Sequence, residues 1–233
     1  EDYLPVDAFI EKPVDPQKIT EHVARSWYEG SADKHPYQGE TKPIQADPQY
    51  DTKSDNGRYT WLKAPRYDGN ACEVGPLARV LVAYGYGHKQ IAPVVDKVVN
   101  TLGVNADALF STLGRTAARG IETLVIGEAM QGWVMELVEN LKSGDSKTCA
   151  SYEMPDKGQG MGLNDVPRGA LGHWVVIEGK KIKNYQYVVP STWNLGPRCS
   201  KGKLGPVEES LIGTPIADPK KPLEILRTVH SFD

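Results

Sequence analysis

Two stretches near the middle of the chain carry its clearest hydrophobic periodicity. Leu77, Val80, Leu81 and Tyr84 fall on one face of a helix that Gly75-Pro76 opens and Gly85 and Gly87 close. Ile91, Val94, Val95, Val98, Val99 and Leu102 repeat the i, i+3, i+4 pattern, with Gly103 placed as a C-terminal cap. The valines favour strands, but the spacing is helical. Asn105 then stands as the cap of a third, longer helix carrying Leu109, Leu113, Ile121, Leu124, Trp133, Leu137 and Leu141 and ending near Gly144. At about 1.5 Å per residue it extends on the order of 50 Å. A helix of that length needs neighbours of similar length, and this chain offers only shorter ones.

Outside this helical block the pattern is weaker. Residues 1–15 are Pro-rich and read as extended. Asp15-Pro16 is a helix-start signal, and Ile19, His22, Val23 and Trp27 predict a short amphipathic helix stopping near Gly30. Residues 31–59 are polar and aperiodic, the pattern of a segment draped over a larger body or a partner. Residues 145–164 read as a loop, their glycines too irregular for a phosphate-binding fingerprint. Two apolar runs, Trp174 to Ile177 and Ile182 to Val189, flank Glu178-Gly179-Lys180 and predict a β-hairpin. The chain after Trp193 is loop-rich, and a last helix starts at Pro222 with Leu223, Leu226 and Val229 inward. Together these predict one partial domain over 1–233. Its parts are an extended region with one short helix to residue 60, a helical block over 61–144, and a hairpin with a C-terminal helix over 145–233. The fold class is mainly α with a small antiparallel β-hairpin or sheet.

Composition removes several function classes. With 27 Lys and Arg against 30 Asp and Glu, the net charge is −3, and no basic stripe marks a nucleic-acid partner. No run approaches the roughly 18 apolar residues of a membrane span. Glu1-Asp2-Tyr3-Leu4-Pro5 has neither a basic start nor an apolar core, so no export signal is expected. Cys72, Cys149 and Cys199 are far apart and form no Cys-x-x-Cys pair, so they read as isolated thiols. Arg115, Arg119 and Glu122 sit on one side of the long helix, where Arg119 and Glu122 read as a solvated or interface charge pair.

Chemistry concentrates between Asp165 and Trp193. Two Pro-containing corners, Pro167-Arg168 and Pro190-Ser191, bracket the predicted hairpin. Strand pairing would bring the Arg168 guanidinium and the Ser191 hydroxyl into one small volume. A fixed cation beside a hydroxyl and backbone N–H groups suits a small anionic or strongly accepting ligand. Asp233 lies at the end of the last helix, where an acid opposes the helix dipole, and this hints that the helix continues into something further.

Several long motifs occur in a recognisable order. They are Lys63 to Tyr67, Glu73-Val74-Gly75-Pro76-Leu77-Ala78, Ser111 to Arg119, Asp165 to Trp174, Val188 to Trp193, and Leu226 to Asp233. From about Asp15 onward the chain closely resembles the C-terminal portion of the large subunit of nickel–iron hydrogenases, in the membrane-bound respiratory uptake group. The resemblance implies a partial large-subunit fold without its N-terminal helices, which would pack against the long helix. It also implies oxidation or formation of dihydrogen at a nickel–iron centre with carbon monoxide and cyanide ligands, held by two Cys-x-x-Cys pairs. By resemblance Arg168 lies over the open bridging position and bonds a cyanide, and a base there would assist heterolytic cleavage. Ser191 donates to a cyanide, Pro167 and Pro190 shape the pocket, and Asp233 lies near Arg168 just before the second cysteine pair. The same resemblance implies that the backbone carbonyl of Tyr187 ligates a magnesium or iron near the subunit's C-terminus.

The departure from the family pattern is that neither cysteine pair has a counterpart here, so no nickel thiolate is supplied. The partners implied are the N-terminal part of the large subunit, a small subunit with iron–sulfur clusters, and a membrane electron acceptor such as a cytochrome or quinone-linked subunit. The location implied is the periplasmic side of the cytoplasmic membrane. Two other functions fit the missing thiolates: a non-catalytic scaffold docking on other hydrogenase subunits, and the related metal-free quinone-reductase subunit. Arg168, Ser191 and the Leu226-to-Asp233 run favour the hydrogenase branch over the latter.

Overall fold

The structure is a computed structural model that describes residues 13–30, 32–44 and 57–233. The extended run expected over 1–15 lies mostly outside the described residues, as does the middle of the 31–59 segment. The chain divides into two compact units, one built on Pro76–Pro155 and the other on residues 13–75 with Asp156–Asp233.

In the first unit, α1 (Pro76–Gly85) and α2 (Ile91–Leu102) form where the periodicity places them, and Gly103 closes α2 in the left-handed region at φ 66°. The third helix begins later than expected. Asn105 makes no side-chain cap, and Ala106–Leu109 forms a 3-10 turn. Ser111 caps α3 (Thr112–Lys142) by accepting the Gly114 N–H at 3.0 Å. Gly114 permits this packing: a Cβ there would lie 2.1 Å from the Leu109 carbonyl oxygen, so the turn sits tightly on the start of the helix.

The core of this unit is Leu77, Val80, Leu81, Val95, Val99, Leu109, Ala118 and Ile121. Only the first third of α3 is covered. Leu113, Leu124, Trp133, Leu137 and Leu141, which the sequence sets along this helix, are exposed. The Glu122 carboxylate takes Arg79 of α1, with Nε at 2.5 Å from Oε1 and the second nitrogen at 2.8 Å from Oε2.

The second unit starts with a correction. Asp15 accepts the Gln17 N–H at 3.0 Å and Pro16 opens a turn, but only Pro16–Lys18 is helical, as a 3-10 turn. The expected amphipathic helix is replaced by β1 (Ile19–His22), antiparallel to β2 (Ala64–Tyr67), with Ile19 opposite Tyr67. On its other side Glu21 exchanges both backbone bonds with Lys34, at 2.9 and 3.1 Å. These distant partners satisfy the backbone of a segment too short to sustain a helix.

A second sheet has the order β3–β4–β5, made of β3 (Lys157–Val166), β4 (Gly169–Glu178) and β5 (Lys181–Val188). The β4–β5 hairpin turns at Gly179 and Lys180, both at positive φ, the geometry that two-residue turns between twisted strands favour. β3 replaces the last eight residues of the expected 145–164 loop. It pairs with β4 over its whole length, from Lys157 opposite Glu178 to Val166 opposite Gly169. Trp174, Val188, Ile19 and Trp193 form the core beneath.

Three short helices complete the unit: α4 (Pro190–Leu195), α5 (Pro206–Leu211) and α6 (Leu223–Phe232). α5 lies in a region expected to be loop. α6 begins as expected but buries Thr228, Ser231 and Phe232, while Leu223 and Leu226 are exposed. Among the described residues no helix is long and apolar enough to cross a membrane.

Candidate functional site

The corner lies at one end of the β3–β4–β5 sheet. Val166 pairs with Gly169, so Pro167 and Arg168 are the two residues of a tight hairpin turn. Proline supplies the fixed φ that such a turn accepts at its first position. Gly169, at φ 131°, backs onto Val74 and Gly75. A Cβ there would lie 2.6 Å from the Gly75 nitrogen, and one on Gly75 would lie 2.6 Å from the Arg168 carbonyl oxygen. The Glu73-Val74-Gly75 motif is therefore the wall against which the arginine turn rests.

At the same end of the sheet, β5 runs into α4. Pro190 takes the first helical position, where its missing N–H is no loss, and Ser191 follows it. α6 delivers Asp233. The Asp233 Oδ1 lies 3.0 Å from Arg168 Nε, and the Ser191 hydroxyl donates to the same oxygen at 2.9 Å. The guanidinium also offsets the unfavourable placement of an acid at a helix C-terminus. Three of the expected residues, Arg168, Ser191 and Asp233, thus meet at one carboxylate, and Pro167 and Pro190 stand in the two turns that carry the first two. Arg168 is 63% exposed and Asp233 34%, so the corner opens outward. The single proton of Ser191 is directed at Asp233; donating elsewhere requires the hydroxyl to rotate.

A cavity of about 540 Å³ lies against this wall, lined by Ile19, Tyr67, Cys72, Val74, Trp174 and Trp193 among others. Burial pushes the Cys72 thiol up, which disfavours a thiolate there. Cys199 is buried, Cys149 is exposed, and all three thiols are free. Among the described residues no group of three or more His, Cys, Asp or Glu side chains is placed to hold a metal ion.

Tyr187 sits on β5 opposite His173 and stacks on it at 6.2 Å between ring centroids. Next to it, the Gln186 Oε1 receives Lys63 Nζ at 2.9 Å and the Thr41 hydroxyl at 3.1 Å. Lys63 Nζ stands 3.5 Å from Glu21 Oε2, an oxygen with no hydrogen-bond partner, and burial raises the pKa of that carboxyl.

Asn194 is the one member of this region that sequence reasoning missed. It is 1% exposed and bonds the backbone of both Val74 and Phe232. Its only sequence signal is its place three residues after Ser191, one turn along the same helix.

Residues 5–233 match the nickel-dependent hydrogenase family. The chain belongs to that family. It is 44% identical to the uptake hydrogenase large subunit of Bradyrhizobium diazoefficiens, over 95% of this chain and 40% of that protein. It is 41% identical to the hydrogenase-1 large chain of Escherichia coli K12, over 99% of this chain and 40% of that one. The [NiFeSe] hydrogenase of Dm. baculatum superposes with a TM-score of 0.80 at 36% identity, covering 95% of this chain and 44% of that chain. The Ni-Fe-Se hydrogenase of D. vulgaris Hildenborough gives 0.78 at 35%, with the same coverage. The chain thus spans about 40% of the length of the curated relatives it matches, and its fold is part of a hydrogenase large subunit.

Proposed function

We propose that the chain works within a hydrogenase large subunit that oxidises or forms dihydrogen, supplying the protein wall beside a nickel–iron centre. The observation that carries this is the shared carboxylate oxygen of Asp233, which fixes Arg168 at 3.0 Å and Ser191 at 2.9 Å. On this reading, thiolates from the rest of the subunit hold nickel and iron, and that centre supplies the redox chemistry. Arg168 presents N–H donors and a positive field to the small groups bound there. Asp233 aims the guanidinium, and Ser191 places a hydroxyl that can turn toward an accepting group such as a cyanide. Pro167 and Pro190 keep both turns rigid.

Tyr187 offers a carbonyl to a magnesium or iron ion. A small subunit with iron–sulfur clusters, a membrane-linked electron acceptor and a periplasmic-side location complete the reading. The scaffold alternative draws on the exposed apolar side of α3, which calls for a covering partner in either case.

The test uses the complete large subunit with its small subunit. Arg168→Lys should keep nickel but lose most turnover, because a planar fork is replaced by a point charge. Unchanged dihydrogen oxidation would overturn the role given to Arg168. The 233-residue chain alone should carry no stoichiometric nickel, and about one nickel per chain would overturn the external-thiolate reading.

A further inference from the structure

Asn194 makes three hydrogen bonds from a fully buried position. Its Oδ1 accepts the Val74 N–H at 2.9 Å, and its Nδ2 donates to the Val74 carbonyl at 2.9 Å and the Phe232 carbonyl at 3.0 Å. The orientation of the amide is forced. A backbone N–H must meet the oxygen and two carbonyls must meet the nitrogen. Only asparagine offers an acceptor and two donors in this volume. A carboxylate would set an oxygen against both carbonyls, and an aliphatic side chain would leave all three backbone groups buried without partners.

Each bond leads to one member of the corner. Phe232 immediately precedes Asp233, so the bond to its carbonyl fixes where the carboxylate hangs. Val74 and Gly75 are the surface on which Gly169 and the Arg168 turn rest. Ser191 lies on the same short helix, one turn before Asn194. A single amide therefore ties together the three backbones that carry Arg168, Ser191 and Asp233. We infer that Asn194 is the positioning residue of the corner, acting through Phe232 and Val74 to hold Arg168, Asp233 and Ser191 in register. This rests on the corner's proposed role for its effect on turnover, but the geometry can be tested without it.

The experiment is Asn194→Asp in the complete large subunit with its small subunit. The variant is isosteric and still accepts the Val74 N–H, but it repels both carbonyls. Its crystal structure should show the Arg168 Nε to Asp233 Oδ1 separation opened beyond hydrogen-bond reach. Turnover should fall by about tenfold or more with the KM for dihydrogen little changed, as for loss of alignment and not of binding. In an Asp233→Asn background the Asn194→Asp change should have no further effect on turnover, because residues acting as one unit are not additive.

A parental corner geometry, or losses that multiply in the double variant, would overturn the inference. Asn194→Ser leaves room for a bridging water and guards against failed assembly; it should show the same coupling with a smaller loss. Loss of nickel in both variants would make Asn194 a folding residue and would also overturn the assignment. Should Asp233→Asn alone leave turnover at the parental level, the proposed role of the corner fails, while the measured separation still decides the part played by Asn194.

Discussion

Ser191 donates its hydroxyl proton to Asp233, 42 positions away, at 2.9 Å, and takes the same oxygen that faces Arg168. The two contacts are unequal in kind. The arginine contact is an ion pair at a partly open site, and the serine contact is a single neutral donor to a charged acceptor. Removing the carboxylate charge should therefore hurt more than removing the hydroxyl. In the assembled enzyme, Ser191→Ala should lower turnover by about tenfold, equivalent to about 1.4 kcal/mol. Asp233→Asn should lower it further, and both should retain nickel. Dihydrogen oxidation rates with metal analysis check the ranking; a serine variant worse than the aspartate variant would contradict it.

Gly169 leaves no room for a side chain. Its φ of 131° lies where residues with a Cβ are strained, and that Cβ would meet the Gly75 nitrogen and the Val74 Cγ2, both at 2.6 Å. Backbone cannot step aside as a flexible side chain can. Gly169→Ala should therefore destabilise the subunit by about 1–3 kcal/mol and displace the Arg168 turn. Denaturant midpoints report the first effect and a crystal structure the second. A midpoint equal to the parent's would show that the turn relaxes freely.

His22 gives the fold a pH dependence of definite sign. Burial pushes its pKa below the usual 6.5, against the opposing pull of Asp33, whose Oδ1 lies 2.6 Å from His22 Nδ1; Arg66 and Lys201 act with burial. The unfolded chain then takes up the proton first. Stability from His22 is complete above about pH 6.5 and is lost as pH falls through the lower folded value. Urea midpoints between pH 7.5 and 5.5 should drop, and His22→Gln should flatten that drop. A slope unaffected by His22→Gln would assign the dependence to other groups.

The outer part of α3 predicts how the 233-residue chain behaves alone. Ile126, Met130, Trp133, Leu137 and Leu141 are all about half exposed and recur every three or four residues along one side. An apolar stripe of that length in water drives association. The isolated chain should sediment as an oligomer, and Trp133→Glu with Leu137→Glu should return it toward monomer. In the complete subunit the same pair of changes should block assembly. A parent chain that sediments as a monomer would refute the first expectation.

What could be read from the sequence follows how local each determinant is. α1, α2 and the Gly179-Lys180 turn were legible because a repeated period and a positive-φ pair are written in adjacent residues. β1 was misread because Ile19, His22 and Val23 fit a helical face, while its true partners, Lys34 and Ala64 to Tyr67, lie far along the chain. β3 was missed although two signals were available: Gly158, Gly160 and Gly162 alternate with period two, and Val166-Pro167-Arg168-Gly169 has the length of a hairpin turn. In the corner, Arg168 and Ser191 stand out as chemistry next to prolines. Asn194 does not, since its bonds run to backbone groups at positions 74 and 232 that no local pattern reveals.

The three parts of the corner all sit at boundaries of secondary structure: the tip of a hairpin, the first turn of a six-residue helix and the C-cap of α6. Ends are where secondary structure opens most readily, with local free energies near zero when nothing ties them down. Here one carboxylate joins them to each other, so opening at one end is no longer independent of the other two. Amide exchange at residues 167–169, 190–192 and 230–233 should accordingly slow and quicken together, making three frayed edges into one cooperative unit.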